Sequence, residues 1–172
     1  FLNMPLLRNW NVLCWNMRGL NNPAKRKAVR EFIASVKCNI VCLQETKMDV
    51  FDSYLVMQCI DQYFDGFSYL SSTETRGGIL LVSDSTRFTV ENVAFDTHCL
   101  TRLVHNKDEQ NWWITVVYGP QGDELKTQFL VDLQQRRDLC PGPWMVLGDF
   151  NMILNANEMN YVNVNRNMMR RF

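Results

Sequence analysis

With 172 residues, 47% of them hydrophobic and 12% aromatic, the chain buries enough apolar surface to offset the entropy of ordering one domain, which excludes wholesale disorder. Its longest aliphatic run, Ile79-Leu80-Leu81-Val82, falls far short of the roughly 20 residues a membrane-spanning helix needs. Eighteen basic residues balance eighteen acidic ones, so net charge alone does not point to a polyanionic partner.

Residues 1–30 nevertheless carry Arg8, Arg18, Lys25, Arg26, Lys27 and Arg30 and no acid, which reads either as a solvated helix face or as a patch facing phosphate. The N-terminal stretch has no basic start followed by an apolar segment, so no secretory signal is visible. Six scattered cysteines (Cys14, Cys38, Cys42, Cys59, Cys99, Cys140) without a CxxC, and only two histidines, indicate neither zinc nor a disulfide framework; they are expected to be reduced and mostly buried. The chain opens on Phe1 and stops at Arg170-Arg171-Phe172, and it reads as an excerpt of something longer.

In chain order, Asn11 to Trp15 is a short β-type run. Asn22-Pro23 then supplies an N-cap and a first-turn proline. The helix that follows has Ala24, Ala28, Val29, Phe32, Ile33 and Val36 as its apolar stripe, with Lys25, Lys27, Arg30 and Glu31 outside it. Asn39 to Gln44 reads as a buried strand and Asp52 to Tyr63 as a second helix. Phe67 to Leu70, Gly78 to Val82, Phe88 to Val93, Cys99 to Val104 and Trp112 to Tyr118 follow as strands, a run that suggests antiparallel pairing. Asp123 to Gln135 is a helix with Leu125, Phe129, Leu130 and Leu133 inward, and Trp144 to Leu147 is an apolar strand after Pro141-Gly142-Pro143. The Asn-rich stretch from residue 151 to 167 reads as a long loop. This order predicts an α/β fold of mixed sheets packed face to face with helices outside.

The most apolar strands end in polar residues: the first in Asn16, the second in Glu45, the seventh in Tyr118 and the eighth in Asp149. In α/β sheets ligands collect beyond the carboxyl ends of strands. If the chain stays extended past Gly148, Asp149 and Asn151 share one face and Phe150 points into the packing, while Gly148 permits close approach of another backbone or a ligand. Glu45 with Asp149 would form a hard-oxygen site of low ligand number, suited to a Mg²⁺ or Mn²⁺ that keeps waters and completes its shell from a phosphate. Gly77-Gly78 reads most simply as a flexible start to a strand, and His98 and His105 as structural or exposed.

With Trp15-Asn16-Met17-Arg18-Gly19-Leu20, Leu43-Gln44-Glu45-Thr46, Gly77-Gly78-Ile79, Val117-Tyr118-Gly119-Pro120 and Gly148-Asp149-Phe150-Asn151 in line, the sequence resembles the endonuclease/exonuclease/phosphatase superfamily. Within it the likeness is to the apurinic-endonuclease-like domain of plant LINE-type (non-LTR) retrotransposons, and Asn155 to Phe172 resembles the segment that follows the last motif there. The resemblance implies a two-sheet α/β sandwich in a single partial domain over residues 1–172, and Mg²⁺- or Mn²⁺-dependent phosphodiester hydrolysis. It further implies Glu45 and Asp149 as metal-binding residues, with Asn16 orienting the phosphate and the metal's surroundings. Tyr118 would contact phosphate, and Asp149 and Asn151 would position the attacking water and the leaving oxygen. DNA would be the substrate, the parent polyprotein would carry a reverse transcriptase, and its place of action would be the nucleus.

Two departures stand out. Repair enzymes of the superfamily carry an acid where this chain has Arg18, so the metal shell loses a carboxylate and a cation becomes available to bind substrate phosphate. The family also completes its site with a late Ser-Asp-His segment, and none precedes Phe172. Residues 1–172 alone are therefore expected to be incomplete at the C-terminus, to leave one sheet edge and part of the core open, and to show little or no nuclease activity. The competing readings are a non-catalytic remnant or binding module of a decayed element, and a phosphodiesterase or phosphatase acting on an inositol-phosphate or lipid.

Overall fold

Strands β2 (Ile40–Gln44) and β4 (Ile79–Ser83) are buried at every position, and the computed structural model gives the reason: each is covered on both faces. The structure describes residues 11–60, 64–73, 77–95, 97–106 and 111–153. Around these strands run β1 (Val12–Asn16), α1 (Pro23–Ser35), α2 (Ser53–Cys59) and β3 (Gly66–Leu70). The second half contains β5 (Phe88–Phe95), β6 (Cys99–Asn106), β7 (Trp112–Tyr118), α3 (Asp123–Leu139) and β8 (Trp144–Asp149).

The strands form two four-stranded sheets, ordered β1-β2-β4-β3 and β5-β6-β7-β8. Each sheet is antiparallel but for one parallel pair: β1 with β2 in the first, β7 with β8 in the second. Alternation along β2 distributes its side chains between two cores. Ile40 and Cys42 face the other sheet and meet Leu100, Ile114 and Val116. Val41 and Leu43 face outward against Val29 and Ile33 of α1 and Val56 and Cys59 of α2. On the far side Phe129 of α3 packs on Cys99 and Val117, with Val146 and Phe150 beside them. The fold is thus a two-sheet α/β sandwich with helices on both outer faces.

Several expectations need correction. The run of five strands pairs antiparallel as expected, β3 with β4, β5 with β6 and β6 with β7, but it divides between β4, which joins β2 and β3, and β5, which opens the second sheet. On α1 only Val29 and Ile33 are buried; Ala24 and Ala28 are exposed, and Phe32 is 44% exposed with its ring edge-on to Trp15 at 4.9 Å. On α3, Leu125 is half exposed, so the apolar face is narrower than the pattern implied. The second helix ends at Cys59, capped at its start by Asp52 Oδ1 accepting from Leu55 N–H, and residues 61–63 lie outside the described residues. The Asn-rich segment beyond Ile153 lies outside them too. All six cysteines are free, four of them buried, with Cys38 intermediate and Cys14 exposed.

Gly148 is required where it stands. Its φ is +136°, and a Cβ would collide with the carbonyl oxygen of Val117 on the parallel neighbour β7. The close approach anticipated there is that of backbone on backbone. Beyond it the chain does not stay extended: Asn151 turns into the left-handed region, at φ +51°.

Candidate functional site

The parallel pairs of both sheets end at the same edge of the sandwich, so the carboxyl ends of β1, β2, β7 and β8 present their terminal residues to one another. Asn16, last in β1, donates from Nδ2 to Asp149 Oδ2, last in β8, at 2.8 Å. Asp149 Oδ1 accepts from the Asn151 backbone N–H at 2.9 Å, a turn that pulls Asn151 back over the strand end. Asn151 Nδ2 in turn donates to Gly119 O at 2.6 Å, and Gly119 N–H donates to Asp149 O at 2.8 Å, which fastens the Asp149 turn to the end of β7.

Glu45 follows β2 directly and is reached by a different device. Its backbone is left-handed, at φ +51°, and the segment after it is held by Lys47 N–H donating to Gly77 O at 2.7 Å. The loop after β1 is stitched to the same turn, with Gly19 N–H on Glu45 O at 2.7 Å and Leu20 N–H on Thr46 O at 2.8 Å. The Glu45 side chain is 17% exposed and its carboxylate meets Lys47 Nζ at 3.2 Å. Gly77 is a close-packed floor, not a flexible start: a Cβ there would lie 2.6 Å from Tyr118 Cε1 and 2.9 Å from Glu45 Cα. One missing methyl lets the phenol ring and the glutamate share the position.

Among the described residues the non-glycine positions with positive φ are Arg18, Glu45, Lys47 and Asn151. Such backbone costs about 1–3 kcal/mol per residue and persists only where surroundings over-determine it, commonly at functional sites. All four lie on the loops that carry this cluster.

Tyr118 is 7% exposed, and its hydroxyl accepts from Gln121 Nε2 at 3.5 Å. Burial raises its pKa above the ordinary 10.0, and the negative charge of Glu45, then of Asp149, pushes it further up. The phenol therefore experiences both carboxylates. It forms one wall of a cleft of about 770 Å³ that also involves Glu45, Lys47, Gly77, His98 and Gln121. A smaller hollow of about 390 Å³ opens over Asn16, Gln44 and Asp149.

The structure thus brings Asn16, Tyr118, Asp149 and Asn151 together by direct contacts and places Glu45 against the Tyr118 ring. Arg18 stands exposed on the loop after Asn16, its N–H donating to Asn16 Oδ1 at 3.1 Å. His98, read as structural or exposed, bonds through Nδ1 to Tyr118 O at 3.1 Å, and it lines the cleft as well. His105 lies 3.1 Å from Glu91 on the adjacent strand, away from this edge. Sequence reasoning passed over Lys47 and Gln121; each lies two or three residues past a predicted site residue, on the same turn, and that spacing was the available signal.

The donor set fits a hard divalent cation. Its hard oxygen donors are the Glu45 and Asp149 carboxylates, and no group of three or more His, Cys, Asp or Glu side chains able to hold a metal occurs among the described residues. Such a set suits a cation that retains several waters and takes further oxygens from a phosphate.

Comparison with known proteins bears on the family and the fold. Residues 13–170 match the family described as the Endonuclease/Exonuclease/phosphatase family. The AP endonuclease LMAP from Leishmania major has a similar fold, with a TM-score of 0.64 at 20% identity over 92% of this chain and 60% of that one. The endonuclease domain of TRAS1, a telomere-specific non-LTR retrotransposon, gives 0.63 at 14% identity over 95% of this chain and 69% of that one. Humanized D. rerio TDP2 gives 0.61 at 17% identity over 90% and 67%. The chain therefore spans about 60–69% of the length of these three structures.

Proposed function

Because the chain belongs to the endonuclease/exonuclease/phosphatase family, we propose that it is a metal-dependent phosphodiesterase acting on DNA, an endonuclease of the LINE-like retroelement type. The reading is carried by one observation, the convergence of Asn16, Glu45, Tyr118, Asp149 and Asn151 where the parallel pairs of both sheets end. DNA as substrate is supported by the similar structures, two of them endonucleases, and the retroelement type by the TRAS1 domain.

Glu45 and Asp149 would hold Mg²⁺ or Mn²⁺, and the bound cation would supply charge neutralisation for the phosphoryl oxygens. The chain's own groups do the remaining work. The Tyr118 phenol, kept protonated by its surroundings, donates to a phosphoryl oxygen. Asp149, oriented by Asn16 Nδ2 and by the Asn151 backbone N–H, positions with Asn151 the attacking water and the leaving oxygen. Arg18, exposed on the rim, meets a flanking phosphate.

An aryl diester such as bis(4-nitrophenyl) phosphate has a leaving group that needs no proton, so it isolates metal and water activation from leaving-group protonation. The protein should release nitrophenolate in Mg²⁺, Glu45→Ala should lower that rate about 100-fold, and duplex DNA should compete while an inositol phosphate should not. Release without metal, or at an undiminished rate in Glu45→Ala, contradicts the proposal; competition by the inositol phosphate alone moves the substrate class.

A further inference from the structure

The first turn of α1 contains Lys25 and Arg26 and no acid. Cations oppose the helix dipole at that end, so the stability of α1 itself does not account for them. Their contacts do. Lys25 Nζ donates to the carbonyl oxygens of Met17 and, at 3.4 Å, Arg18. Arg26 Nη1 donates to Leu20 O at 2.8 Å and Asn21 O at 3.0 Å, and its Nε to Gln58 Oε1 of α2 at 2.9 Å. The two cations thereby bind the carbonyl side of the 17–21 loop. The opposite, N–H side is bound to the β2 end: Met17 N–H to Gln44 O at 2.8 Å, then Gly19 and Leu20 to Glu45 and Thr46.

One N–H of that loop, that of Arg18, goes elsewhere. It donates to Asn16 Oδ1 at 3.1 Å. With Oδ1 engaged there, the Asn16 amide can only present its Nδ2 hydrogens to Asp149, as observed. The Met17 carbonyl and the Arg18 N–H belong to one planar peptide unit, so the Lys25 ammonium on that carbonyl holds the plane from which the N–H reaches Asn16, and its second contact, on Arg18 O, holds the left-handed step at Arg18, φ +49°.

We propose that Lys25 is a positioning residue of the phosphodiester site: it clamps the left-handed Arg18 turn, and through it fixes the orientation of the Asn16 amide toward Asp149. The inference rests on the function proposed above for its consequence in catalysis, though the clamp itself does not. Part of the basic N-terminal segment thus belongs neither to a solvated face nor to a phosphate patch; Lys25 and Arg26 are internal struts.

The test uses four variants: Lys25→Met, which keeps the stem and removes the donor; Lys25→Arg, which restores a donor; Asn16→Ala; and the pair Lys25→Met with Asn16→Ala. Lys27→Met is the control, since Lys27 is exposed and, among the described residues, its ion pair is with Glu31 at 3.9 Å on its own helix. The Asn16 side-chain amide resonance in ¹H–¹⁵N spectra should shift in Lys25→Met, return toward its original position in Lys25→Arg and stay put in Lys27→Met. On the aryl diester, kcat should fall about tenfold in Lys25→Met with KM nearly unchanged, and the double variant should be no slower than Asn16→Ala alone. An unmoved amide resonance in folded Lys25→Met, or strictly additive losses, overturns the inference. If Asn16→Ala and Glu45→Ala both retain full activity while the amide shift is seen, the proposed function fails and the clamp stands.

Discussion

At Gly77 the absence of one carbon decides whether two site residues can meet. A methyl group there would crowd Tyr118 Cε1 at 2.6 Å and Glu45 Cα at 2.9 Å, so Gly77→Ala should separate ring from carboxylate while both sheets stay paired. A displacement of about 1 Å at a reacting centre costs on the order of 100-fold in rate, and that loss in kcat is expected with a melting temperature only slightly lowered. Wild-type kcat in Gly77→Ala would contradict the close packing. Tyr118 has a second signature. Its phenol pKa is raised by burial first and by Glu45 next, so the folded protein keeps the proton beyond the ordinary 10.0 at which the unfolded chain loses it. The stability tied to this group is whole below that pH and is lost as pH rises through the higher folded value. Ultraviolet titration should find a tyrosine ionising late, absent from Tyr118→Phe and shifted back toward the ordinary value in Glu45→Gln. An unchanged titration curve in Glu45→Gln would break the inferred coupling of phenol and carboxylate.

The helices differ in how far their sequences disclosed them. The Asn22-Pro23 signal located the start of α1 to the residue, because capping is local chemistry: Asn22 Oδ1 accepts from Ala24 N–H at 2.8 Å. Asn22→Ala should cost about 1 kcal/mol, lowering the melting temperature by about 2–4 °C with kcat within about twofold of wild type; a large kcat loss would tie the cap to the site. The packed face of α1 was less legible. Ala24, Ala28 and Phe32 fit an apolar stripe, yet burial stops at Val29 and Ile33, while Lys25 and Arg26 reach from the first turn to the carbonyls of the 17–21 loop. Periodicity records which residues are apolar and is silent about side chains spent on a neighbouring backbone. α3 shows the same limit at Leu125, although its end charges, Asp123 and Glu124 first and Arg136 and Arg137 last, follow the helix dipole as α1 does not. Strand ends were legible to within a residue or two, because turn residues bound them. The Asp149-Phe150-Asn151 turn was legible in its outcome but not its path, as nothing in the sequence disclosed the left-handed step at Asn151.

For the molecule as a whole, the candidate site depends on a topological coincidence. Each sheet contains one parallel pair among antiparallel strands, and both pairs end at the same edge. Four strand termini then supply polar side chains to one place from a rigid floor, the arrangement that suits precise orientation of a substrate. The residue types at strand ends made the candidate site readable from the sequence, while the split of β4 and β5 between sheets was not, since alternation fixes which face a residue takes and not which strand lies beside it. The most direct test of the assembled site is Mn²⁺ titration followed by paramagnetic broadening of side-chain resonances. At the lowest Mn²⁺ additions the Asn16 and Asn151 amides and the Tyr118 ring should broaden together, and Glu45→Ala should abolish the effect. Broadening spread over other surfaces, or persisting unchanged in Glu45→Ala, would contradict a single cation site at the meeting of the two sheets.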